Sequence, residues 1–294
     1  MKPAVFDYYD PTSLEEALSL MSQFGDQARP LAGGQSLVPL MNFRLLRPAH
    51  VVDLNRIGEL SYLEIEENTL RLGATMRQRQ LEKSPVVAER WPLLRDAAGF
   101  IGHIQIRNRG TIGGSLAHAF PSAELPVAMV TLDASLVLRS KSKRRTIGAE
   151  EFFVSTMTTA LEPDELLTEI MVPALPPHTG WSYQEVSRRH GDFALAGAAA
   201  VIALDAKGYI HRAGLTLTGA TPLRARRVEE FLMGEKPSAA LFKDAARRAT
   251  ENIEQDSDIH ASAEYRRSAC EALAHRALIQ AAGRAAESAQ GSAG

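Results

Sequence analysis

The stretch Asn108-Arg109-Gly110-Thr111-Ile112-Gly113-Gly114-Ser115 decides the fold of this 294-residue chain. A shorter stretch, Ala32-Gly33-Gly34-Gln35-Ser36, repeats its pattern of a glycine pair followed by a serine. Because glycine adopts backbone angles that other residues avoid, such a turn can aim successive N–H groups into one concavity that binds an anion. One loop of this kind is enough for one phosphate, so two facing loops predict a pyrophosphate site between them.

A single Gly-Gly-Ser is more often an ordinary turn than a phosphate site, so the prediction depends on the repetition. The sequence contains neither G-x-G-x-x-G opening a strand–helix–strand unit nor G-x-x-x-x-G-K-[ST]. The hydroxyls of Thr111, Ser115 and Ser36 are candidate donors at the rim of the concavity. We interpret the two loops as a clamp on a dinucleotide cofactor in a different kind of fold.

Composition favours an ordinary soluble protein with room for two domains, since 45% of the residues are hydrophobic and 23% are charged. The net charge of −2 gives no sign of nucleic-acid binding. Apolar runs such as Leu195 to Leu204 are too short to span a membrane. Residues Met1 to Tyr9 lack the apolar core of a signal peptide, so we expect a cytoplasmic location.

The residues that usually carry chemistry are sparse. The single cysteine, Cys270, excludes a disulfide, a CxxC redox centre and an all-cysteine iron–sulfur cluster within this chain, and its helical context predicts a small buried residue. The eight histidines lack metal-ligand spacing, so we predict no metal site. Without a G-x-S-x-G elbow or another evident nucleophile, we predict no catalytic residue. This pattern suits a redox protein, in which the cofactor carries the chemistry.

Periodicity predicts an α+β fold that changes character near the proline-rich segment 173–177. Before this segment we expect a strand–helix–strand unit over 29–54, with Ser36 as the helix N-cap, and a hairpin over 63–73. We also expect a helical stretch broken near Pro92, and a helix that has Ser122 as its candidate N-cap and runs to about Leu132. The later elements are a three-stranded antiparallel meander and three helices, over 181–187, 196–204, 211–217, 225–233, 238–250 and 262–282. Residues 283–294 are predicted to be disordered.

Four segments, taken together, resemble the flavin-carrying medium subunit of molybdenum hydroxylases, the family of xanthine dehydrogenase and aerobic carbon monoxide dehydrogenase. They are KPAVFDY from Lys2, LAGGQSLVP from Leu31, IRNRGTIGGSLA from Ile106 and EVSRRHGDFA from Glu185. The resemblance spans about residues 2–282. It implies an FAD-binding domain of the p-cresol methylhydroxylase type at 1–176, with subdomains of about 1–56 and 57–176. A C-terminal flavoprotein domain at 177–282 would follow, with the three-stranded antiparallel sheet and the helices.

The resemblance also implies which residues contact FAD. The first loop and the residue after it would enclose the pyrophosphate from one side, and the second loop would enclose it from the other. Ile101 and Phe193 match positions near the flavin ring, and His118, Glu124, Leu166 and Gln184 match other contacts. Without the family match, Ile101, Leu166 and Phe193 would be read as core residues. The full set is Ala32, Gly33, Gly34, Gln35, Ser36, Leu37, Ile101, Thr111, Gly113, Gly114, Ser115, His118, Glu124, Leu166, Gln184 and Phe193.

By the same resemblance, the chain is the flavoprotein subunit of a heterotrimeric hydroxylase, assembled as a dimer of heterotrimers. Electrons would pass from [2Fe-2S] clusters on a small subunit through FAD to an external acceptor, for which NAD, a quinone and oxygen all stay open. The molybdopterin cofactor would lie on a large subunit. Two alternatives stay open: a stand-alone FAD-dependent oxidoreductase, and a non-catalytic nucleotide-binding or assembly protein.

Overall fold

The computed structural model describes residues 1–251 and 253–291, which form an α+β structure. The strands are β1 (Asp7–Tyr9), β2 (Ala28–Leu31), β3 (His50–Asp53), β4 (Leu63–Glu66), β5 (Thr69–Gly73), β6 (Ser135–Arg139), β7 (Arg144–Gly148), β8 (Phe153–Ser155), β9 (Thr158–Thr159), β10 (Leu166–Pro173), β11 (Thr179–Ser187), β12 (Ala194–Leu204), β13 (Ile210–Leu217) and β14 (Leu223–Arg224). The α-helices are α1 (Leu14–Phe24), α2 (Leu37–Asn42), α3 (Gln78–Lys83), α4 (Pro85–Arg90), α5 (Pro92–Phe100), α6 (Ile104–Arg109), α7 (Ile112–His118), α8 (Glu124–Thr131), α9 (Ala149–Phe152), α10 (Arg226–Leu232), α11 (Ala239–Thr250) and α12 (Ala263–Gly291).

The described residues divide into two compact units that interleave along the chain. The first unit comprises residues 1–83, 103–119 and 134–173, and the second comprises 84–102, 120–133 and the described part of 174–294. These units follow spatial contacts rather than chain order. The boundaries that we expect near residues 56 and 176 therefore stay predictions.

A small parallel sheet opens the first unit, in the order β1-β3-β2. Helix α1 begins after Ser13, whose hydroxyl accepts a hydrogen bond from the Glu16 N–H at 3.2 Å. One apolar face of α1 is buried in the core of this layer, and Val52 of β3 lies in the same core. The parallel pairing of β2 with β3 across α2 confirms the predicted strand–helix–strand unit.

The second sheet of the first unit is antiparallel, in the order β4-β5-β10-β6-β7. The pairing of β4 with β5 confirms the predicted hairpin. After β5 the backbone joins the second glycine stretch, because the Gly113 N–H donates to the Ala74 carbonyl at 2.8 Å and the Ile112 N–H donates to the Met76 carbonyl at 3.0 Å. The sheet therefore fixes the position of this stretch.

The sheet of the second unit is antiparallel, in the order β11-β12-β13-β14. The predicted three strands are present, and the two-residue β14 adds a fourth. Strand β12 is rich in alanine, so α12 packs closely on one face of the sheet. A Cβ on Gly180 of β11 would lie only 1.9 Å from the Ala281 carbonyl oxygen of α12. Helix α5 covers the opposite face, where the ring centroids of Phe100 and Tyr183 are 5.3 Å apart.

Several local predictions need correction. Ser36 makes no capping hydrogen bond, and Ser122 donates to the Ala194 carbonyl at 2.8 Å instead of capping α8. Residues 283–291, which we expected to be disordered, belong to α12 because its buried alanine face continues through Ala285. Residues 292–294 of that predicted tail lie outside the described residues.

Other local predictions are confirmed. The helical stretch breaks at Pro92 into α4 and α5, as the proline predicts. Cys270 is buried in α12.

Within residues 1–251 and 253–291, none of the helices combines the length and the apolar character that crossing a lipid bilayer requires.

Candidate functional site

The two glycine loops meet inside the first unit. The first loop follows β2 and the second joins α6 to α7. A Cβ placed on Gly33 would lie 2.4 Å from the Arg109 carbonyl oxygen and 2.8 Å from the Gly110 Cα. Real Cβ atoms do not approach backbone this closely, so only glycine permits the contact. The first requirement for a shared pyrophosphate site is therefore met.

The first loop supplies free backbone donors. Among the described residues, the N–H groups of Gly33, Gly34, Gln35 and Ser36 donate to no protein acceptor. Gly34 has a φ of 72°, a left-handed conformation that favours glycine. The Gln35 side chain stabilises the turn by donating from Nε2 to the Gly33 carbonyl at 3.1 Å. Successive free amides in such a turn form an anion-binding concavity.

The second loop differs from the prediction, because most of its amides are already bonded. The Gly113 N–H donates to Ala74, and the Gly114 N–H donates to the Thr111 hydroxyl at 3.0 Å, which makes Thr111 the N-cap of α7. The Ser115 N–H donates to the Thr111 carbonyl at 3.2 Å. The second loop thus contributes closely packed backbone and hydroxyl groups. The first loop contributes the free amides that form the anion-binding concavity.

Three other predicted contacts lie in the first unit. Leu37 is the first residue of α2 and is partly exposed. His118 ends α7, and burial lowers the pKa of its imidazole, which favours the neutral ring. Leu166 is 2% exposed and packs in the core that includes Leu14 and Val52.

The remaining predicted contacts belong to the second unit. Ile101 follows α5 and is 8% exposed. Glu124 is buried at the start of α8. Gln184 donates from Nε2 to the Gln280 carboxamide oxygen of α12 at 2.9 Å. Phe193 is 71% exposed, although its ring centroid lies 4.5 Å from that of Phe120. Phe193 is therefore not a core residue.

Sequence reasoning missed an acidic cluster formed by Glu124, Tyr183 and Glu185. The Tyr183 hydroxyl lies 3.5 Å from Glu185 Oε2. Burial, followed by the nearby Glu124 carboxylate, raises the pKa of Glu185 to about 8, and burial also raises the pKa of Tyr183. The sequence could have predicted the pairing of Tyr183 with Glu185, because side chains alternate along a strand and residues 183 and 185 of β11 therefore lie on the same face of the sheet. Glu185 is therefore expected to be protonated at neutral pH.

Protonation of Glu185 predicts a specific pH dependence of stability. Its pKa rises from 4.5 to about 8 on folding, so its contribution to the free energy of unfolding is complete below 4.5 and is lost as the pH rises through 8. Because the side chain is partly exposed, we expect Glu185→Gln to stabilise the chain by roughly 2 kcal/mol at about pH 9 and to change little at about pH 5. Thermal unfolding across this pH range measures the difference. A gain that is equal at both pH values would contradict the assignment.

Two further variants sharpen the pH test. Glu124→Gln removes the neighbouring negative charge, so the pH at which Glu185 loses its proton should fall. Glu254→Gln changes an exposed carboxyl of the same unit and is the matched control. We expect the control to leave the pH dependence of stability unchanged.

Taken together, the fold and the loops define a class of protein. The free amides of the first loop, the glycine contact and the hydroxyls of the second loop fit the diphosphate group of a dinucleotide. No group of three or more His, Cys, Asp or Glu side chains suited to a metal ion occurs in the described part of the chain. The class is that of a nucleotide-binding α+β protein.

Comparisons with known proteins narrow this class to a family. The family model for the FAD binding domain in molybdopterin dehydrogenase matches residues 4–175, and that for the CO dehydrogenase flavoprotein C-terminal domain matches residues 181–281. The chain therefore belongs to the FAD-binding flavoprotein family of the molybdopterin dehydrogenases. It is the medium, FAD-carrying subunit of a multi-subunit oxidoreductase of the molybdenum hydroxylase type.

Individual relatives are similar over nearly the whole chain. The 6-hydroxypseudooxynicotine dehydrogenase complex subunit alpha of Paenarthrobacter nicotinovorans is 42% identical over 97% of each chain. The carbon monoxide dehydrogenase medium chain of Hydrogenophaga pseudoflava is 38% identical over 97% of this chain and 100% of its own. Among solved structures, carbon monoxide dehydrogenase from H. pseudoflava matches with a TM-score of 0.94 at 38% identity, covering 97% of this chain and 99% of that chain. Quinoline 2-oxidoreductase from Pseudomonas putida 86 matches with a TM-score of 0.92 at 36% identity, with the same coverage.

Proposed function

We propose that this chain passes electrons from [2Fe-2S] clusters on a small partner subunit, through its bound FAD, to an external acceptor. The proposal places the molybdopterin cofactor on a large partner subunit and the whole as a dimer of heterotrimers in the cytoplasm. The observation that carries it is the contact between two glycine loops beside four free amides, in a chain of this family. The single cysteine, buried in α12, supports the placement of the clusters on another chain.

The residues of the site have distinct roles in this proposal. The free amides of residues 33–36 and the N-terminus of α2 at Leu37 hold the diphosphate from one side. The Thr111 and Ser115 hydroxyls hold it from the other side, where Gly113 and Gly114 keep the backbone close. Ile101, His118, Glu124, Gln184 and Phe193 are retained as contacts with the rest of the cofactor. Leu166, which packs in the hydrophobic core of the first unit, is retained with them.

The chain binds and orients the cofactor, and the cofactor supplies the redox chemistry. Bound FAD exchanges single electrons with an iron–sulfur partner and electron pairs with an acceptor. The neutral His118 and the protonated Glu185 add no full charge to their surroundings near neutral pH. The proposed domain division stays at residue 176, with subdomains of about 1–56 and 57–176.

The substrate of the complex is proposed to be selected on another subunit. The relatives described above are named for 6-hydroxypseudooxynicotine, carbon monoxide and quinoline, yet each covers nearly all of this chain at 36–42% identity. Substrates so different in size do not require different flavoprotein subunits if their pocket lies elsewhere. The chemistry of this chain is therefore expected to be the same whichever substrate the complex oxidises.

The test is to purify the full-length chain alone and together with its co-expressed partners. We expect stoichiometric FAD in the isolated chain, no substrate turnover by the chain alone, and flavin reduction when the complex receives substrate. Reduction should require the iron–sulfur subunit. A chain that takes up no FAD, or that turns over a substrate without partners, would contradict the proposal.

A further inference from the structure

Arg77 lies beside the contact between the two glycine loops of the first unit. It lies immediately before α3, and its guanidinium points two donors in different directions. Nη1 donates to the Arg109 carbonyl, in the second loop, at 2.6 Å. Nη2 donates to the Asn55 side-chain oxygen at 2.6 Å. Since the guanidinium is planar and rigid, these two bonds fix the relative position of their acceptors.

Asn55 extends this connection to the first loop. Its Nδ2 donates to the Ala32 carbonyl at 2.8 Å and to the Asp53 carboxylate at 2.5 Å. Asp53 is held in turn by the Tyr8 hydroxyl at 2.5 Å and by the Asn55 N–H at 2.9 Å. A continuous series of hydrogen bonds, which we call the Arg77–Asn55 strap, therefore joins a carbonyl of one glycine loop to a carbonyl of the other.

The strap acts where the two loops touch. The Arg109 carbonyl oxygen that accepts from Arg77 is also the atom against which Gly33 packs. Ala32, whose carbonyl is held by Asn55, directly precedes Gly33 in the chain. The glycine contact and the strap thus fix the same separation, one by steric fit and the other by hydrogen bonds.

The strap also places positive charge beside the loops. Burial, followed by the charge of Arg109, lowers the pKa of Arg77, so the two guanidinium groups repel each other. Asp53 only partly offsets this repulsion. A bound anion between the loops would relieve it, which favours a diphosphate over a neutral ligand.

We propose that Arg77 and Asn55 are positioning residues, which set the distance between the two glycine loops and through it the affinity for the diphosphate of FAD. This inference rests on the proposed function, in which the diphosphate lies between the loops. Hydrogen bonds to a charged group are among the strongest in proteins, so loss of either end of the strap has a measurable effect. Preorganised loops also lower the entropic cost of binding.

The experiment measures FAD and ADP binding to the full-length chain after its flavin is removed. We expect Arg77→Met and Asn55→Ala each to weaken both ligands at least about tenfold, because each variant breaks the strap. The double variant should bind about as weakly as the poorer single variant, since both remove the same connection. Arg77→Lys keeps the charge without the planar pair of donors, so it should recover affinity only in part.

The matched control is Arg56→Met, which removes an exposed arginine close to Asn55 and outside the strap. Its FAD affinity should stay within about twofold of the wild type. Hydrogen exchange at residues 33–36 of the FAD-loaded chain provides a second readout, because these amides would then donate to the diphosphate, and it should be faster in both strap variants. Asn55→Ala changes an exposed side chain, so it keeps the test valid if Arg77→Met folds poorly.

Three results would overturn the inference. The first is wild-type affinity for FAD and ADP in both strap variants. The second is a loss of FAD affinity with ADP binding intact, because that pattern places the effect away from the diphosphate that the two ligands share. The third is additive losses in the double variant. Failure of the wild-type chain itself to bind FAD or ADP would instead contradict the proposed function on which the inference rests.

Discussion

Gly33→Ala is expected to weaken FAD binding by at least about 100-fold, or about 3 kcal/mol. The added methyl group would lie 2.4 Å from the Arg109 carbonyl oxygen, so the two glycine loops would have to separate. Both loops resist this movement, because the second is bonded to Ala74 and Met76 and the first continues from β2. A displacement near 1 Å in a binding site commonly costs about this much.

Fluorescence titration of the flavin-free chain measures this effect directly. Gly58→Ala is the matched control, since a Cβ at Gly58 of the same unit meets nothing within 4 Å. We expect the control to bind FAD as the wild type does. If Gly33→Ala kept wild-type affinity, the contact between the loops would not matter for binding and the site would have to lie elsewhere.

Gly180→Ala is expected to have the largest effect on stability, a loss of about 3–5 kcal/mol or failure of the second unit to fold. Its methyl group would lie 1.9 Å from the Ala281 carbonyl oxygen and 2.4 Å from the Ala285 nitrogen. Both are backbone atoms of α12, so no side chain can rotate away to make room. The helix would have to lift off the sheet and expose the alanine-rich core.

Gly283→Ala is the control for this variant, because it adds the same methyl group to an open position of the same helix. Alanine is a better helix former than glycine, so this control should gain up to about 1 kcal/mol. Chemical denaturation, monitored by the fluorescence of Trp91 and Trp181, which both belong to the second unit, compares the two variants. Equal stability of both variants would mean that α12 does not pack on β11 as closely as described.

The fold was predictable where local patterns coincide with tertiary packing. The glycine loops, the parallel strand–helix–strand unit and the break at Pro92 follow from the conformational limits of glycine and proline and from hydrophobic periodicity. The family and its cofactor followed from resemblance in four short segments, which the comparisons confirm. The individual cofactor contacts stay predictions.

The failures have physical causes that periodicity does not capture. Ser122 was expected to cap a helix, but its hydroxyl bonds to a residue 72 positions away along the chain. Helix α12 continues past its predicted end. Alanine gives only a weak hydrophobic signal in the sequence, but the alanines up to Ala285 are buried in the folded protein. Arg77 and Asn55 are ordinary surface-type residues in sequence, and their joint action depends on loops that only the fold brings together. The acidic cluster was missed because Glu124 and Glu185 are distant in sequence.

The interleaving of the two units bears on how a nascent chain matures. When the ribosome has made the first 173 residues, every segment of the first unit is present, but the second unit has only 84–102 and 120–133. The apolar side chains of those two segments, including Leu93, Leu94 and Leu125, are covered by their own unit only after β11, β12 and β13 have been made. A fragment that ends at residue 176 would therefore expose the apolar surfaces of these two segments to solvent. Chaperone engagement during synthesis should concentrate on this interval.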